Sequence, residues 1–139
     1  MTCERSFVVL AIVSILLTSF VSVDANAQAQ ISGVNMKTIL QAPLAGDDTK
    51  ETVISLGEFA PGSTLPRHTH PGDEYIVVLQ GTFELMVEGQ ESRRVSAGEA
   101  FHTTSGIVHY TKVLGDTPVR TVNIWVVEKG KPVMQPLTK

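Results

Sequence analysis

The stretch GSTLPRHTHPGDEYIVVLQG, residues 62–81, holds two of the four histidines of this 139-residue chain. His68 and His70 stand two residues apart, and Glu74 follows after a Pro-Gly pair. Side chains alternate in direction along a β-strand, so two histidines two residues apart point the same way. The parity of Glu74 places it on the face of Ile76, which we expect to be the interior. The stretch therefore predicts two imidazoles and a carboxylate that converge inside the fold.

These three side chains together favour a metal site. A buried carboxylate without a partner is costly, and a divalent ion removes that cost by binding all three groups. Two histidines and a carboxylate with open coordination positions suit non-haem iron. Neutral imidazole also suits zinc, copper and nickel, and a carboxylate suits manganese, so these residues leave the metal undecided.

Two further histidines lie in GEAFHTTSGIVHY, residues 98–110. His109 follows a Ser-Gly turn and begins or enters a predicted strand, which makes it a candidate fourth ligand. His102 is more simply a residue of the wall or the surface of the fold.

Outward from these segments, short β-branched runs separated by Gly and Pro indicate an all-β fold. Runs of about 5–6 residues with turns roughly every 8–12 are typical of β-sandwiches and β-barrels. Outside the N-terminal apolar run, no stretch shows helical periodicity. The predicted strands include residues 52–56, 75–79, 82–87, 91–95 and 119–127.

The run at residues 75–79 is apolar on both of its faces. A strand of this kind needs a cover on each side of its sheet. We expect a homodimer to supply the second cover, with residues 30–41 folded over that face as the alternative.

The interior is expected to be apolar, which favours an aromatic or otherwise apolar small molecule as ligand. Polar groups beside the metal would instead favour an enzyme. The expected wall residues are Ile76, Val78, Phe83, Leu85, Val87, Ile124 and Val126.

The first 27 residues predict an export signal. Arg5 precedes an apolar run at residues 7–23, which is followed by the small residues Ala25-Asn26-Ala27 that signal peptidase requires. We expect cleavage after Ala27, with Ala29 as a second option and an uncleaved membrane anchor as the alternative. Residues 28–139 then form a single exported domain, most simply in a bacterial periplasm and free of the membrane after cleavage.

The composition argues against a nucleic-acid-binding protein and against a domain held together by disulfides. The chain has 11 basic and 14 acidic residues and no run of Lys or Arg, so nucleic acid is not an expected partner. The single cysteine, Cys3, lies in the predicted signal, so the mature domain has no disulfide and no Cys-based metal site. The hydrophobic core alone must then hold the fold.

The chain resembles the single-domain cupins, among them the small exported type 2 cupins. The first motif of that family is Gly, five residues, His-x-His, three or four residues, Glu, six residues and Gly. Gly62, His68, His70, Glu74 and Gly81 fit this motif at every position and spacing.

The second cupin motif is Gly, five residues, Pro-x-Gly, two residues, His, three residues and Asn. Gly98, Gly106 and His109 fit it, whereas Thr104 replaces the proline and Val113 replaces the asparagine. These departures leave the implied ligands untouched.

The resemblance covers residues 57–127 and implies a small antiparallel jelly-roll β-barrel. It implies that His68, His70, Glu74 and His109 bind one divalent metal ion, which is Fe, Mn, Zn, Cu or Ni. The alternatives are a solvated polar loop for the first three residues and a structural histidine for the fourth. The implied activity is that of a dioxygenase-like or an isomerase- or decarboxylase-like enzyme. A periplasmic module that binds a metal and a small ligand without catalysis is the other function, and no catalytic residue beyond the ligands stands out.

Overall fold

A computed structural model describes residues 31–137, and the predicted signal peptide and its cleavage sites lie outside these residues. The described chain forms ten strands, and it contains no helix long and apolar enough to cross a membrane. The strands are β1 (Val34–Leu44), β2 (Asp47–Phe59), β3 (Thr64–Thr69), β4 (Gly72–Gln80), β5 (Thr82–Val87), β6 (Arg93–Ser96), β7 (Ala100–Thr103), β8 (His109–Leu114), β9 (Val119–Glu128) and β10 (Gln135–Pro136).

The strands form two five-stranded sheets whose inner faces pack against each other. The first sheet has the order β1-β2-β9-β4-β7, and the second has the order β10-β3-β8-β5-β6. Each pair of neighbouring strands is antiparallel. This arrangement confirms the all-β fold class and the small antiparallel jelly-roll barrel.

Alternating side chains from the two sheets fill the interior in two apolar clusters. Burial of each large apolar side chain stabilises the fold by about 1.5–3 kcal/mol. The larger cluster contains Phe59, Ile76, Val78, Phe83, Leu85, Val95, Phe101, Val113 and Val119. The smaller cluster contains Val53, Trp125 and Val127.

Strand β9 faces the opposite way from the prediction. Asn123 and Trp125 are buried, whereas Ile124 and Val126 are half-buried residues of the other face. A change of one residue in parity exchanges the two faces of a strand. Because β9 carries apolar residues on both faces, its composition did not reveal which face is internal, and the predicted wall is wrong at these two positions.

Strand β1 does not cover the outer face of β4, as the alternative to a homodimer would require. Val34–Leu44 pairs with β2 at the edge of the first sheet, so it widens that sheet instead of folding over it. The outer side chains of Tyr75, Val77 and Leu79 are 41%, 37% and 56% exposed. This face therefore has no cover from residues 31–137.

The glycine that begins β4 is required by a close approach between two strands. A Cβ atom at Gly72 would lie 2.1 Å from the carbonyl oxygen of Val126 in β9. Any side chain at this position would push the start of β4 away from β9. Glu74, two residues further along β4, would be displaced with it.

Candidate metal centre

Three histidines and one glutamate meet between the two sheets. His68 lies near the end of β3, His70 follows that strand, His109 begins β8 and Glu74 lies in β4. All four residues are buried. One ring nitrogen from each histidine lies within 4.8 Å of those of the other two. The structure thus brings together all four residues that the motifs indicated.

Each imidazole is tied to the backbone through its Nδ1 atom. A carbonyl oxygen only accepts hydrogen bonds, so Nδ1 carries the proton and donates it. The Nε2 atom of a neutral ring is then left with a free lone pair. The acceptors are the carbonyl oxygens of Pro66 for His68 (2.6 Å), of Val133 for His70 and of Ile107 for His109 (3.0 Å).

The free nitrogen atoms fit a metal ion. His68 Nε2 and His70 Nε2 are buried and have no hydrogen-bond partner among residues 31–137. Buried acceptors without partners are destabilising, and a divalent ion would satisfy them together. Histidine ligands of metals are commonly held by such a bond from the other ring nitrogen. Three imidazoles and a carboxylate suit iron, manganese, zinc, copper and nickel, so the identity of the ion stays open.

The Glu74 carboxylate is held by side chains from two neighbouring strands. Trp125 donates its indole N–H to Glu74 Oε1 at 3.0 Å, and Thr103 donates its hydroxyl to Oε2 at 3.0 Å. His109 Nε2 lies 3.0 Å from Oε2, and His70 Nε2 lies 3.3 Å from Oε1. The carboxylate therefore has a fixed orientation within the cluster.

Two of these partners of Glu74 are not indicated by the sequence motifs. Trp125 and Thr103 lie outside the residues that define the two motifs. Both residues stand directly opposite Glu74, Thr103 on β7 and Trp125 on β9. The register of the strands, which the motifs do not show, was the missing signal.

Burial and charge act in opposite directions on the ionisable groups of the cluster. Burial raises the pKa of the Glu74 carboxyl, but the hydrogen bond with His109, together with the close approach of the His70 ring, outweighs it and holds that pKa well below its usual range. Burial, reinforced by the nearby His109, lowers the pKa of His68 to about 4. Burial also lowers the pKa of His109, but its hydrogen bond to Glu74 outweighs this, and the net pKa is raised. The metal-free protein therefore favours a His109–Glu74 ion pair, whose proton must leave when a metal binds.

The turn of the second motif is fastened to the first motif. The Gly106 N–H donates to the carbonyl oxygen of His70 at 3.0 Å, and the Ser105 N–H donates to Asp73 Oδ1 at 3.2 Å. Gly106 has φ +76°, a left-handed conformation that glycine adopts without strain. The turn thus forms with Thr104 in place of the proline.

His102 lies outside the cluster, as expected. Its side chain is exposed on the outer face of β7 and stacks on Tyr75, with 4.5 Å between the ring centroids. Its Nε2 atom lies 3.9 Å from Asp73 Oδ2. His102 is therefore a suitable control for substitutions of the buried histidines.

A cavity of about 280 Å³ opens beside the cluster. Its wall is mixed, so the expectation of a purely apolar interior is wrong. The small polar residues occupy inward positions that an interpretation based on apolar runs did not consider. The apolar lining includes Phe59, Leu65, Ile76, Phe83 and Phe101, and the polar lining includes Thr38, Ser55, Thr111 and Asn123.

Known proteins share both the sequence pattern and the fold. The Cupin domain family matches residues 55–127. Germin-like protein 5-1 of Oryza sativa subsp. japonica is 32% identical over 98 residues, which are 67% of this chain and 42% of that protein. The structure of KdgF from Halomonas sp. has a TM-score of 0.61 at 24% identity, covering 73% of this chain and 87% of that one. An oxalate oxidase structure has a TM-score of 0.60 at 23% identity, covering 78% and 57%.

The family match establishes the family of the chain, whereas the two structures establish only a shared fold. The chain spans less than half the length of the first germin-like relatives, 42% of the rice protein and 43% of one from Arabidopsis thaliana. The two structures, both below 25% identity, show the shared fold. The family match covers more than half of the chain and includes all four residues of the cluster. The chain belongs to the cupin domain family.

Proposed function

We propose that the chain is an exported metal-dependent enzyme that acts on a small molecule bound beside the cluster. The observation that carries this proposal is the set of three Nδ1 bonds to backbone carbonyls. They leave the Nε2 atoms of His68, His70 and His109 available to a metal ion, and Glu74 lies 3.0 Å from the Nε2 atom of His109 and 3.3 Å from that of His70. A divalent ion held there would supply Lewis-acid or redox chemistry at an open coordination position.

The polar wall of the cavity favours an enzyme over a simple ligand carrier. Convergent polar groups in an otherwise apolar pocket orient a ligand, and orientation is what a reaction requires. Trp125 and Thr103 hold the orientation of the Glu74 carboxylate within the cluster. Because an oxalate oxidase shares this fold, an oxidoreductase or dioxygenase reaction is the first chemistry to test. Export to a bacterial periplasm rests on the N-terminal sequence.

A second candidate is a module that binds a metal and a small ligand without catalysis. Among residues 31–137, the cluster supplies the only ionisable side chains that line the cavity. Any acid–base step would therefore depend on Glu74 or the histidines themselves. A carrier needs no such step, and this observation favours it.

Metal content and turnover together test the proposal. We expect stoichiometric iron, manganese, zinc, copper or nickel in the purified protein, its loss in His68→Ala and its retention in His102→Ala. Elemental analysis measures the metal, and oxygen uptake and product analysis with small organic acids and aromatic compounds measure turnover. A fully metallated protein without turnover in either screen would favour the carrier. Metal retained in His68→Ala would contradict the site.

A second copy of the chain is the proposed cover for the outer face of the first sheet. The middle of this face is formed by outward residues of three adjacent strands and contains no charged group. Contiguous exposed apolar surfaces mark interfaces, and the lack of charge permits two copies to meet without repulsion. These residues are Thr52, Ile54, Leu56, Tyr75, Val77, Leu79, Val122, Ile124 and Val126.

The oligomeric state tests this interface. We expect a dimer for the native protein and a monomer for Val77→Glu, because two carboxylates would be buried at the centre of the contact. Sedimentation velocity measures both. Lys112→Glu, an exposed change on the second sheet, should leave the dimer intact. A native protein that stays monomeric at high concentration would rule out the homodimer.

A further inference from the structure

A row of three small polar side chains crosses the inner face of the first sheet. Thr38 on β1 is opposite Ser55 on β2, and Ser55 is opposite Asn123 on β9. The hydroxyl oxygens of Thr38 and Ser55 lie 3.1 Å apart. All three residues line the cavity, and we call them the polar row.

Asn123 has an unsatisfied acceptor within this row. Its side chain is 1% exposed, and its Oδ1 has no hydrogen-bond partner among residues 31–137. Its Nδ2 donates to the sulfur of Met36 at 3.5 Å, and this sulfur only accepts, so Oδ1 is the free end of the amide. A buried acceptor without a donor is destabilising. A ligand that brings an O–H or N–H group into the cavity would satisfy it.

The polar row lies next to the metal cluster. Asn123 and Trp125 are two residues apart on the same face of β9, which corresponds to roughly 7 Å along a strand. Trp125 stands opposite Glu74 and is hydrogen-bonded to it. A short molecule is therefore long enough to reach the cluster at one end and Asn123 at the other.

The charges around the cavity differ between its two ends. No Lys or Arg among residues 31–137 lines the cavity, so the polar row does not suit a carboxylate or a phosphate. Its free acceptor and two hydroxyl groups suit a ligand hydroxyl, which both donates and accepts. At the other end, a divalent ion with the single carboxylate of Glu74 would leave a net positive charge that attracts an anion.

We infer that the site binds short hydroxy acids, with the carboxylate at the metal cluster and the hydroxyl at Asn123. This inference rests on the proposed metal site and names the class of substrate for it. Asn123 acts as a specificity-determining residue, and Ser55 and Thr38 support the same hydroxyl. The aromatic or apolar ligand expected from an apolar wall lacks the group that this row accepts.

Matched acids test this inference with the protein loaded with Zn²⁺, a redox-inactive ion that leaves the acids intact. The probes are 3-hydroxypropanoate against propanoate, and 4-hydroxybutanoate against butanoate. Calorimetric titration should show about tenfold tighter binding of at least one hydroxy acid than of its partner, because one buried hydrogen bond is gained and an orphaned acceptor is satisfied.

Two variants locate the effect. Asn123→Leu should abolish the preference for the hydroxy acid and keep the bound zinc. Ser55→Ala should reduce the same preference, and it provides the test if Asn123→Leu folds poorly. Thr121→Val is the matched control. Like Asn123, Thr121 lies on β9, is buried and has a side-chain oxygen without a hydrogen-bond partner among the described residues, but it does not line the cavity. The Thr121→Val variant should therefore keep the native preference.

The possible failures are distinguishable. Equal affinity for the paired acids, including no affinity for any of them, overturns the inference while bound zinc leaves the metal site intact. A preference that survives in Asn123→Leu also overturns it. Failure of the native protein to bind zinc or any other divalent ion would instead overturn the metal site on which the inference rests.

Discussion

Replacing Glu74 by alanine should destabilise the metal-free protein by about 3–5 kcal/mol, the usual cost of removing one partner from a buried ion pair. The carboxylate is 2% exposed and accepts hydrogen bonds from Trp125 and Thr103, besides its contact with His109. The alanine variant leaves two donors without an acceptor and a histidine without its counter-charge. Urea unfolding at pH 7 in the presence of a chelator measures the loss.

Glu74→Gln is the informative comparison. Its amide oxygen still accepts from Trp125, and its NH₂ group faces the Nε2 atom of His109. That nitrogen accepts once the ring is neutral, because Nδ1 already donates to Ile107. We expect a loss of only about 1 kcal/mol, together with weaker binding of divalent ions because the anionic ligand is gone. Equal losses for the two variants would show that the buried hydrogen bonds of Glu74 do not stabilise the fold.

The four residues of the cluster were predictable because local sequence determines their placement. The two-residue spacing of His68 and His70 and the parity of Glu74 follow from alternation along a strand. His109 was identified through its distance from Gly106, which the structure confirms as the residue of a left-handed turn. Each of these spacings covers only a few residues, so it can be interpreted without knowing how the strands pair.

The surroundings of the cluster were not predictable in this way. Trp125 and Glu74 are 51 residues apart, and their hydrogen bond depends on how β9 is placed beside β4. The inward position of Asn123 depends on the parity of a strand with apolar residues on both faces. Thr38, Ser55 and Thr111 likewise occupy inward positions on other strands, which apolar runs do not reveal, and for this reason an apolar cavity was the wrong expectation.

Strand β1 was missed for another physical reason. Val34–Leu44 is an edge strand with mostly exposed side chains, so it lacks the regular alternation that a half-buried strand shows. It also contains an irregularity between Thr38 and Leu40, which breaks any period of two. The strand nevertheless supplies Thr38 and Met36 to the cavity. Part of the candidate site therefore comes from a segment that lies outside both motifs.

Acidification below pH 6.5 should destabilise the metal-free protein through His68, by about 3 kcal/mol once the pH has fallen to about 4. The pKa of this histidine falls from 6.5 to about 4 in the folded state, mainly because the ring is buried. Between these values the unfolded chain binds a proton that the folded protein does not, so stability falls as the pH falls.

Glu74 and His109 affect the stability of the metal-free protein in other pH ranges. The pKa of Glu74 is lowered, so its contribution is lost only as the pH falls below its usual value of 4.5. The pKa of His109 is raised, so its contribution is fully present below pH 6.5 and is lost as the pH rises above that value. The range from pH 6.5 to pH 4.5 therefore reports mainly on His68.

Urea unfolding across this range, with a chelator present, separates His68 from the exposed histidine. His68→Gln cannot titrate, so its stability should stay nearly constant from pH 6.5 to pH 4.5, whatever the cost of the substitution at neutral pH. His102→Gln should keep the native slope, because His102 is exposed on the outer face of β7. If His68→Gln keeps the native dependence of unfolding free energy on pH, a group other than His68 binds the proton on unfolding. Folding would then not select the neutral form of His68.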